Sequence, residues 1–542
     1  MRNRLLLSGL PLILLLTACP GSDDDDDTPP PEPSFCEANG WQERAWNGDG
    51  PYGELRHDLA DDFSVDLLDG TEWNLRDHWT GCENYVFLTD RRYYSQLNTA
   101  TIWEDGVADL ISRSPRNVHY FFISDRSEAS TDEVMEEMAD RVAQDLASLG
   151  DEDYAWWSER IHLVADHVSE VNGWVEAVLE DVGYFYNFGI DREQRIRLLG
   201  SFADVNRYDA ALSAADAWPW ESNLAYAGYE PRSWNFLGDR AARLEAEDVT
   251  VVTAWEGEVL AHVVETVVDF PDAATLAGFD TLEIDLVMDC ADPEAAEFGN
   301  CGSWDYLSHI YLVDEAAETS WELARFITTY HREGHYVVDA TPMLVHLAAG
   351  GPRTIEFHVS PSWNPQAYLT RMDFRFSNRG KGHAPSEATY LWGTRSFDSS
   401  YNEAREPVEV AIPAGAQKVE LWALITGHGM DNGNCAEFCN HQHEFTVGTS
   451  SYTESHDTVG DNMGCVSETD NGMVPNQGGT WWFGRGGWCP GQQVEPTVFD
   501  VTEDVEPGST ATVSYRALLS GSDSIPDGSG NIVLSSYLVV YE

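Results

Sequence analysis

The sequence has few positively charged residues. Of its 542 residues, 31 are lysine or arginine, against 93 aspartates and glutamates, and the formal net charge is -62. A surface of this kind repels the phosphates of nucleic acids and the headgroups of anionic lipids, so neither is expected as a direct partner. The acidic excess is explained most simply by solubility and carries no chemistry of its own.

Long apolar runs are also scarce. The run Leu5–Leu16 is too short to span a bilayer permanently, and it follows Arg2 and Arg4, as in a signal peptide. It ends in Leu16-Thr17-Ala18-Cys19, which resembles the lipobox of bacterial lipoproteins. The resemblance implies that residues 1–18 are removed and that lipid on Cys19 anchors the chain to a membrane. Two or more acyl chains on one residue are enough for stable membrane anchoring.

Residues 19–35 form an acidic, proline-rich linker. Five consecutive aspartates, Asp23–Asp27, repel one another, and the prolines after them stiffen the chain, so an extended stalk is expected. No aspartate directly follows Cys19. By resemblance to lipoprotein sorting, this favours the outer membrane of a bacterial cell envelope, on its periplasmic face or at the cell surface.

Cysteine is limited to nine positions, one of which is Cys19. The remaining even number, in an oxidising compartment, favours disulfides. Proximity along the chain suggests the pairs, although it does not decide them: Cys36 with Cys82, Cys290 with Cys301, Cys435 with Cys439, and Cys465 with Cys489. The spacing of Cys435 and Cys439 would also suit a metal, but a small disulfide loop is favoured outside the cytoplasm.

Residues 36–215 alternate strand and helix signals, which predicts an α/β layer. The segment resembles a thioredoxin-like domain of the peroxiredoxin type in its Asp-Phe entry, its Asp69-Gly70 turn and its late strand at Phe188–Asp191. The family would place a reactive cysteine just after the strand at Tyr85, where this chain has Thr89–Tyr94. We therefore expect a redox-inactive scaffold or docking module, joined to the rest by an aromatic-rich linker with short helices over residues 216–246.

From residue 247 onward the pattern is that of β-structure. Leu282, Ile284, Leu286 and Met288 alternate with polar residues, as do apolar residues from Val419 to Ile425. Turn residues interrupt these runs frequently. The pattern predicts antiparallel sandwiches or jelly rolls, and hence a multidomain protein.

Three segments of this half combine a cysteine, an aromatic residue and a charged residue. They are Cys301-Gly-Ser-Trp304-Asp305, Cys435-Ala-Glu437-Phe-Cys439 and Arg485-Gly-Gly-Trp488-Cys489-Pro. Disulfides fix loop geometry, aromatic faces pack against sugar rings, and carboxylates act as acid or base. These residue types indicate a carbohydrate-active site.

The same segments, in this order and spacing, resemble the peptide-N-glycosidase F family over about residues 247–542. The resemblance implies two eight-stranded antiparallel jelly rolls, here residues 247–380 and 381–542. It implies catalytic roles for Asp305, Glu437 and Arg485. It implies substrate contacts by Trp304, Trp363, His428 and Trp488.

The implied reaction is hydrolysis of the amide bond between asparagine and N-acetylglucosamine in N-glycosylated peptides or proteins, without a cofactor. Asp305 would bind the reacting end of the substrate and exchange protons, and Glu437 would activate water. Arg485 would stabilise developing negative charge. Two positions depart from the family: Tyr306 stands where an arginine is usual, and residues 359–363 hold no acid where the family has a third carboxylate.

Two other functions fit parts of the sequence. His441 and His443 alternate on an apparent strand and, with His456 or Met463, could bind copper or zinc. A copper monooxygenase of the two-jelly-roll type would carry an adjacent His-His pair, which the sequence lacks, and two packed strand histidines are favoured over a metal site. The remaining alternative is a non-catalytic lipoprotein that binds glycans or proteins.

Overall fold

The computed structural model describes residues 33–90, 101–171, 173–181, 187–208, 220–431, 433–456 and 458–542. The signal sequence, Cys19 and nearly all of the acidic linker lie outside these residues, so their predicted roles stay predictions. Among the described residues, no helix is both long and apolar enough to cross a membrane.

The N-terminal part is built on a five-stranded mixed sheet of order β5-β4-β3-β6-β7. Strands β3, β4 and β5 are parallel, whereas β6 and β7 are antiparallel to their neighbours. The strands are β1 (Ser64–Asp66), β2 (Glu72–Asn74), β3 (Asn84–Thr89), β4 (Val118–Ile123), β5 (Ile161–Leu163), β6 (Phe188–Ile190), β7 (Ile196–Leu198), β8 (Ala203–Tyr208) and β9 (Trp220–Ser222). The predicted strands and the hairpin at the Asp69-Gly70 turn are present; the thioredoxin-like assignment stays a prediction.

The helices lie mostly in this part. They are α1 (Phe35–Ala38), α2 (Val107–Arg113), α3 (Thr131–Leu146), α4 (Asp151–Ser158), α5 (Trp174–Asp181), α6 (Tyr229–Ala246), α7 (Ala273–Leu276) and α8 (Leu344–Leu347). Short 3-10 turns occur at Ile102–Glu104, Glu128–Ser130, Leu224–Gly228, Thr341–Met343, Val466–Asn471 and Thr502–Asp504.

The predicted linker at 216–246 differs from the structure, which has the 18-residue helix α6 there. The helix begins with Glu230 and Pro231 in its first turn, positions that favour a helix N-terminus. Its residues Tyr229 and Trp234 are buried. In place of the short helices expected in a linker, the structure has one long helix whose aromatic residues are part of the core.

The first β-sandwich has the strand order of a jelly roll, with sheets β10-β17-β12-β15 and β11-β16-β13-β14. Every pairing in it is antiparallel. Its strands are β10 (Val249–Leu260), β11 (Val263–Asp272), β12 (Thr281–Cys290), β13 (Leu307–Asp314), β14 (Thr319–Ile327), β15 (Gly334–Asp339), β16 (Gly350–His358) and β17 (Tyr368–Ser377). Leu282, Ile284, Leu286 and Met288 all point into its core, as their alternation predicted.

The second sandwich repeats this topology, with sheets β18-β25-β20-β23 and β19-β24-β21-β22. Its strands are β18 (Pro385–Ser396), β19 (Val408–Ala411), β20 (Lys418–His428), β21 (His441–Val447), β22 (Ser450–Ser455), β23 (Thr497–Asp500), β24 (Thr510–Leu519) and β25 (Asn531–Tyr541). The two jelly-roll-like sandwiches expected from the sequence are thus present.

A buried arginine joins the two sandwiches. Arg325 of β14 forms a two-pronged ion pair with Glu322, at 2.8 and 2.7 Å. Its remaining nitrogen donates to the Thr426 hydroxyl (3.0 Å) and to the carbonyl of Val533 (2.8 Å), both in the second sandwich. The side chain of Arg325 is fully buried. Strand β14 is therefore an interface strand.

All eight described cysteines form the disulfides that proximity suggested. Cys36–Cys82 ties α1 to the N-terminal sheet. Cys290–Cys301 closes the loop before Trp304, and Cys435–Cys439 closes the loop that carries Glu437. Cys465–Cys489 joins the two ends of the segment that contains Arg485.

The N-terminal sheet packs against the loops of the second sandwich. Val86 and Leu88 on one face of β3 share a core cluster with Trp481 and Trp482, both fully buried. The indole of Trp481 meets Tyr226 edge to face, and that of Trp482 meets Trp220 in the same way. The N-terminal part therefore supports the segment that carries Arg485.

Candidate active site

Asp305, Glu437 and Arg485 converge where the two sandwiches meet. Asp305 lies just before β13 of the first sandwich, and Glu437 lies in the disulfide loop between β20 and β21 of the second. Nη2 of Arg485 is 3.3 Å from the Asp305 carboxylate, and Nε is 3.5 Å from that of Glu437. One guanidinium thus bridges two carboxylates supplied by different domains.

Arg485 is itself held firmly. It is 2% exposed, and its Nη1 donates to the carbonyl of Phe483 at 2.9 Å. Its guanidinium lies over the rings of Phe438 and Trp488, with its central carbon 5.3 and 4.9 Å from the ring centres. Stacked and hydrogen-bonded in this way, the planar group has one orientation, the one that faces both carboxylates.

The Glu437 loop is fixed by backbone contacts to two neighbouring segments. The Glu437 amide donates to the Gly429 carbonyl (3.3 Å), and the Gly429 amide donates back to the Glu437 carboxylate (3.3 Å). The Gly486 amide donates to the Glu437 carbonyl at 2.8 Å. Gly429 has a φ of 82°, and a Cβ there would lie 2.3 Å from the Ser529 carbonyl, so this position requires glycine.

Burial raises the pKa of both carboxyls above their ordinary values. For Asp305, burial outweighs the opposing pull of Arg485 and of a hydrogen bond from Tyr330. For Glu437, burial outweighs Arg485, and the negative charge of Asp305 raises the pKa further. A raised carboxyl pKa beside a fixed cation is typical of acid-base sites, because the group can exchange protons closer to neutral pH.

Tyr330, which the sequence did not single out, belongs to the site. Its hydroxyl lies 3.4 Å from Nη2 of Arg485, and it hydrogen-bonds to Asp305. Thr480 also accepts from Arg485, at 3.3 Å. The signal for Tyr330 is the β13–β14 hairpin: Leu307 pairs with Ile327, which brings the residues just outside both strand ends together.

The predicted substrate contacts fall into two groups. Trp304 and Trp363 are 52% and 77% exposed beside Asp305, which is unusual for tryptophan and leaves flat faces free for a ligand. Trp488 is 7% exposed; its indole donates to the Gly427 carbonyl, and its ring stacks on His428. Trp488 and His428 therefore lie beneath Arg485 and support it.

Tyr306, where the family has arginine, forms an aromatic wall with Trp363. The two rings meet edge to face at 5.5 Å, and the Tyr306 hydroxyl accepts a hydrogen bond from Asn364 at 2.7 Å. The sequence departures thus lie together on one side of Asp305. Aromatic and amide groups stand there in place of a cation and an acid.

The predicted metal ligands are only partly brought together. His441 and His443 are fully buried on β21 and group with His456, whereas the sulfur of Met463 accepts a hydrogen bond from Tyr226 at 3.4 Å. Burial lowers the pKa of His441 to about 3 and lowers that of His443 as well. Both imidazoles are therefore neutral at physiological pH.

Similarity to known proteins covers the same half of the chain. Residues 396–539 match the family described as "Peptide-N-glycosidase F, C terminal". The peptide-N(4)-(N-acetyl-beta-D-glucosaminyl)asparagine amidase F of Elizabethkingia miricola is 23% identical over 300 residues, which span 52% of this chain and 79% of that protein.

Solved structures of similar proteins include recombinant peptide N-glycanase F, at a TM-score of 0.42 and 18% identity over 54% of this chain and 96% of that chain. They also include PNGF-II, at a TM-score of 0.40 and 12% identity over 56% of this chain and 67% of that chain. The match at residues 396–539 and the aligned amidase support the resemblance of the C-terminal half to the peptide-N-glycosidase F family.

Proposed function

We propose that the C-terminal half hydrolyses the amide bond between an asparagine side chain and the first N-acetylglucosamine of N-glycosylated peptides. The observation that carries the proposal is the bridge from Arg485 to Asp305 and Glu437. It brings two carboxyls of raised pKa and a fixed cation together beside exposed tryptophans.

In the proposed reaction, a water oxygen attacks the amide carbon and the carbon–nitrogen bond breaks. Glu437 takes the proton from water, and Asp305 returns a proton to the departing nitrogen, so that the sugar leaves as a glycosylamine and the peptide keeps an aspartate. Arg485 stabilises the negative charge that develops on the carbonyl oxygen. The Glu437 carboxylate lies 3.5 Å from Nε of Arg485, as an ion pair that orients it.

The test uses the full chain, extracted in detergent, and a denatured N-glycoprotein in heavy-oxygen water. Mass spectrometry should find formerly glycosylated asparagines converted to aspartates that carry the heavy oxygen, together with free glycan. Asp305→Asn keeps the shape of the side chain and should lower the rate roughly 100-fold or more. Asp269→Asn, an exposed aspartate of the same sandwich, is the matched control and should cleave normally.

A second outcome would favour the non-catalytic alternative. If no asparagine is converted, but glycopeptides bind to the chain and binding is weakened by Trp363→Ala, the site recognises glycans without hydrolysis. The exposed faces of Trp304 and Trp363 supply the observation for this alternative.

We propose, further, that the protein acts as a lipoprotein of the cell envelope. The support is the lipobox at Leu16–Cys19 and the stalk that follows it. Growth with a traceable palmitate analogue should label the chain, and Cys19→Ser should abolish the label and release the protein from membranes. Labelling that survives Cys19→Ser would contradict the anchor.

We propose that the N-terminal thioredoxin-like part has no redox role and instead braces the catalytic half. The support is its lack of a cysteine after β3 and its shared core with Trp481 and Trp482. Its described cysteines, Cys36 and Cys82, are joined to each other. An insulin-reduction assay with dithiothreitol should therefore show no acceleration, and clear acceleration would overturn the proposal.

A further inference from the structure

A second cluster of chemically capable side chains lies in the second sandwich. His441 and His443 alternate on β21 and are fully buried, and His456 follows the end of β22. Gln442 pairs with Ser455, which brings His456 opposite His441. Each of the three rings offers one nitrogen, and these three nitrogens all lie within 4.8 Å of one another.

The ring nitrogens are already oriented. Nδ1 of His441 lies 2.8 Å from Nε2 of His443, while Nδ1 of His443 lies 2.7 Å from the Tyr515 hydroxyl. Two nitrogens bound to one tetrahedral Zn²⁺ are roughly 3.3 Å apart, as metal–nitrogen bonds of about 2.0 Å require. To bind one ion, these two nitrogens need to move apart by only a fraction of an ångström. Tyr515 hydrogen-bonds to the other nitrogen of His443, as residues that orient a metal-binding histidine usually do.

The cluster borders an opening. A cleft of about 270 Å³ is lined by His456, Glu454 and Glu468, and also by Arg485 and Trp488. Glu454 pairs with His443 across β21 and β22, so its side chain lies on the same face of the sheet as the histidines. An ion could enter through this cleft, and Glu454 is placed to approach it.

We propose that His441, His443 and His456 form a Zn²⁺ site, with the fourth position filled by water or Glu454. Three imidazoles are a ligand set that suits Zn²⁺ and leaves one position open. The site adjoins the Arg485 segment, but the proposal of a bound ion does not depend on the proposed hydrolytic reaction.

A bound ion would also stiffen the neighbouring backbone. Nε2 of His441 lies 2.2 Å from where a Cβ at Gly486 would stand, and 2.3 Å from one at Gly427. Both glycines flank the active-site segment, and the Gly427 amide donates to the Gly486 carbonyl at 2.7 Å. The histidine thus packs directly behind the turn that presents Arg485.

Another group with metal-like spacing contains His57, Asp289 and Glu333. There the two oxygens of Glu333 are already engaged at 2.6 Å, one by Arg56 and the other by His57. An arginine at that distance disfavours a cation, so this group is a charge network and carries no metal proposal.

The experiment strips the full chain, extracted in detergent, with dipicolinate and titrates it with Zn²⁺ alone. Metal per chain is measured by mass spectrometry after gel filtration, and Co²⁺ replaces Zn²⁺ to report coordination through its visible absorption. We expect one Zn²⁺ per chain and the intense bands of four-coordinate Co²⁺. His456→Gln should weaken binding roughly 100-fold or more, beyond the effect of losing an outer partner.

Two further variants keep the test decisive. His383→Gln changes another half-buried histidine of the same sandwich and should bind like the natural chain. Tyr515→Phe removes the hydroxyl behind His443 and should weaken binding roughly 10-fold to 100-fold. The proposal is overturned if the stripped chain takes up no stoichiometric Zn²⁺, or if His456→Gln binds it equally well. Because metal content is the readout, either result is independent of glycan release.

Discussion

Arg485 occupies a position in which one side chain lowers the pKa of two others. Its charge opposes the rise in pKa that burial causes in Asp305 and in Glu437. The guanidinium of Arg485 is buried and contacts aromatic rings and a loop carbonyl. Both carboxyls should therefore respond to any change at residue 485.

Arg485→Gln should move the acid limb of the pH–rate profile. Without the guanidinium, the pKa of Asp305 and of Glu437 rises further, so the carboxylate that must accept a proton is lost at a higher pH. We expect kcat/KM to fall roughly 100-fold to 1000-fold, as on removal of a transition-state donor. The acid limb of kcat/KM, measured on a glycopeptide by chromatography, should move to higher pH. If the rate falls but the acid limb does not move, Arg485 contributes only through packing.

Trp363→Ala should weaken substrate binding more than catalysis. The exposed ring can cover a sugar or peptide face, a contact worth about 0.5 to 1.5 kcal/mol, so KM should rise about threefold to tenfold with little change in kcat. Steady-state kinetics on a glycopeptide measure both. Val267→Ala, which truncates an exposed side chain of the same sandwich, should leave both constants unchanged.

The sequence predicted three site residues that the structure brings together, but not their neighbours, for a physical reason. Asp305, Glu437 and Arg485 lie beside cysteines and tryptophans that form recognisable motifs. Tyr330 has no motif of its own and reaches Asp305 only through the register of β13 with β14. Likewise the burial of Trp481 is decided by the N-terminal part, which its local sequence does not reveal.

At the level of single elements, two disulfides that close loops of different length should contribute differently to stability and to activity. Cys435–Cys439 closes a short loop that holds Glu437, whereas Cys36–Cys82 spans 46 positions far from the site. Replacing both cysteines by alanine should lower the free energy of unfolding by about 2 kcal/mol for the first pair and about 4 kcal/mol for the second. Activity should fall mainly for the first pair.

Chemical unfolding followed by fluorescence, alongside the glycopeptide assay, measures both effects. A loss of activity that simply tracks the loss of stability across the two variants would show that the short disulfide does not position Glu437.

Strands were more predictable than helices in this chain. Apolar alternation marks a half-buried strand directly, as at Leu282–Met288, because every second side chain faces the core. Helix α6 carries aromatic, polar and charged residues that contact both the N-terminal sheet and the second sandwich. Because the helix is buried on several sides, its sequence has no single apolar stripe. The segment was therefore predicted to be a linker with short helices.

For the whole molecule, the contact between the sandwiches depends on charge as well as on apolar packing. Burial alone would raise the pKa of Glu322, but Arg325 and His309 outweigh it, and the pKa is lowered. Such a carboxylate stabilises the folded chain at neutral pH. The contribution is complete above the ordinary glutamate pKa of about 4.3 and is lost as pH falls towards the lowered value.

Glu322→Gln should therefore lower the free energy of unfolding by about 3 to 5 kcal/mol at neutral pH, because Arg325 stays buried without its partner. The deficit should shrink as the solution is acidified. Urea unfolding at several pH values measures it, with the exposed Glu315→Gln as control. A deficit that is constant across pH would mean that shape, and not charge, holds the sandwiches together.

The shared core of the N-terminal sheet and the Trp481–Trp482 segment has a consequence for how the molecule can be divided. The family match covers residues 396–539, yet a fragment cut at residue 247, without the N-terminal sheet, would present the two indoles and the neighbouring Val466 and Met473 to water. Such a patch promotes self-association. A fragment that stays soluble must therefore include more of the chain than the part that matches the family. In deletion studies, aggregation of a shorter fragment would be mistaken for a loss of activity.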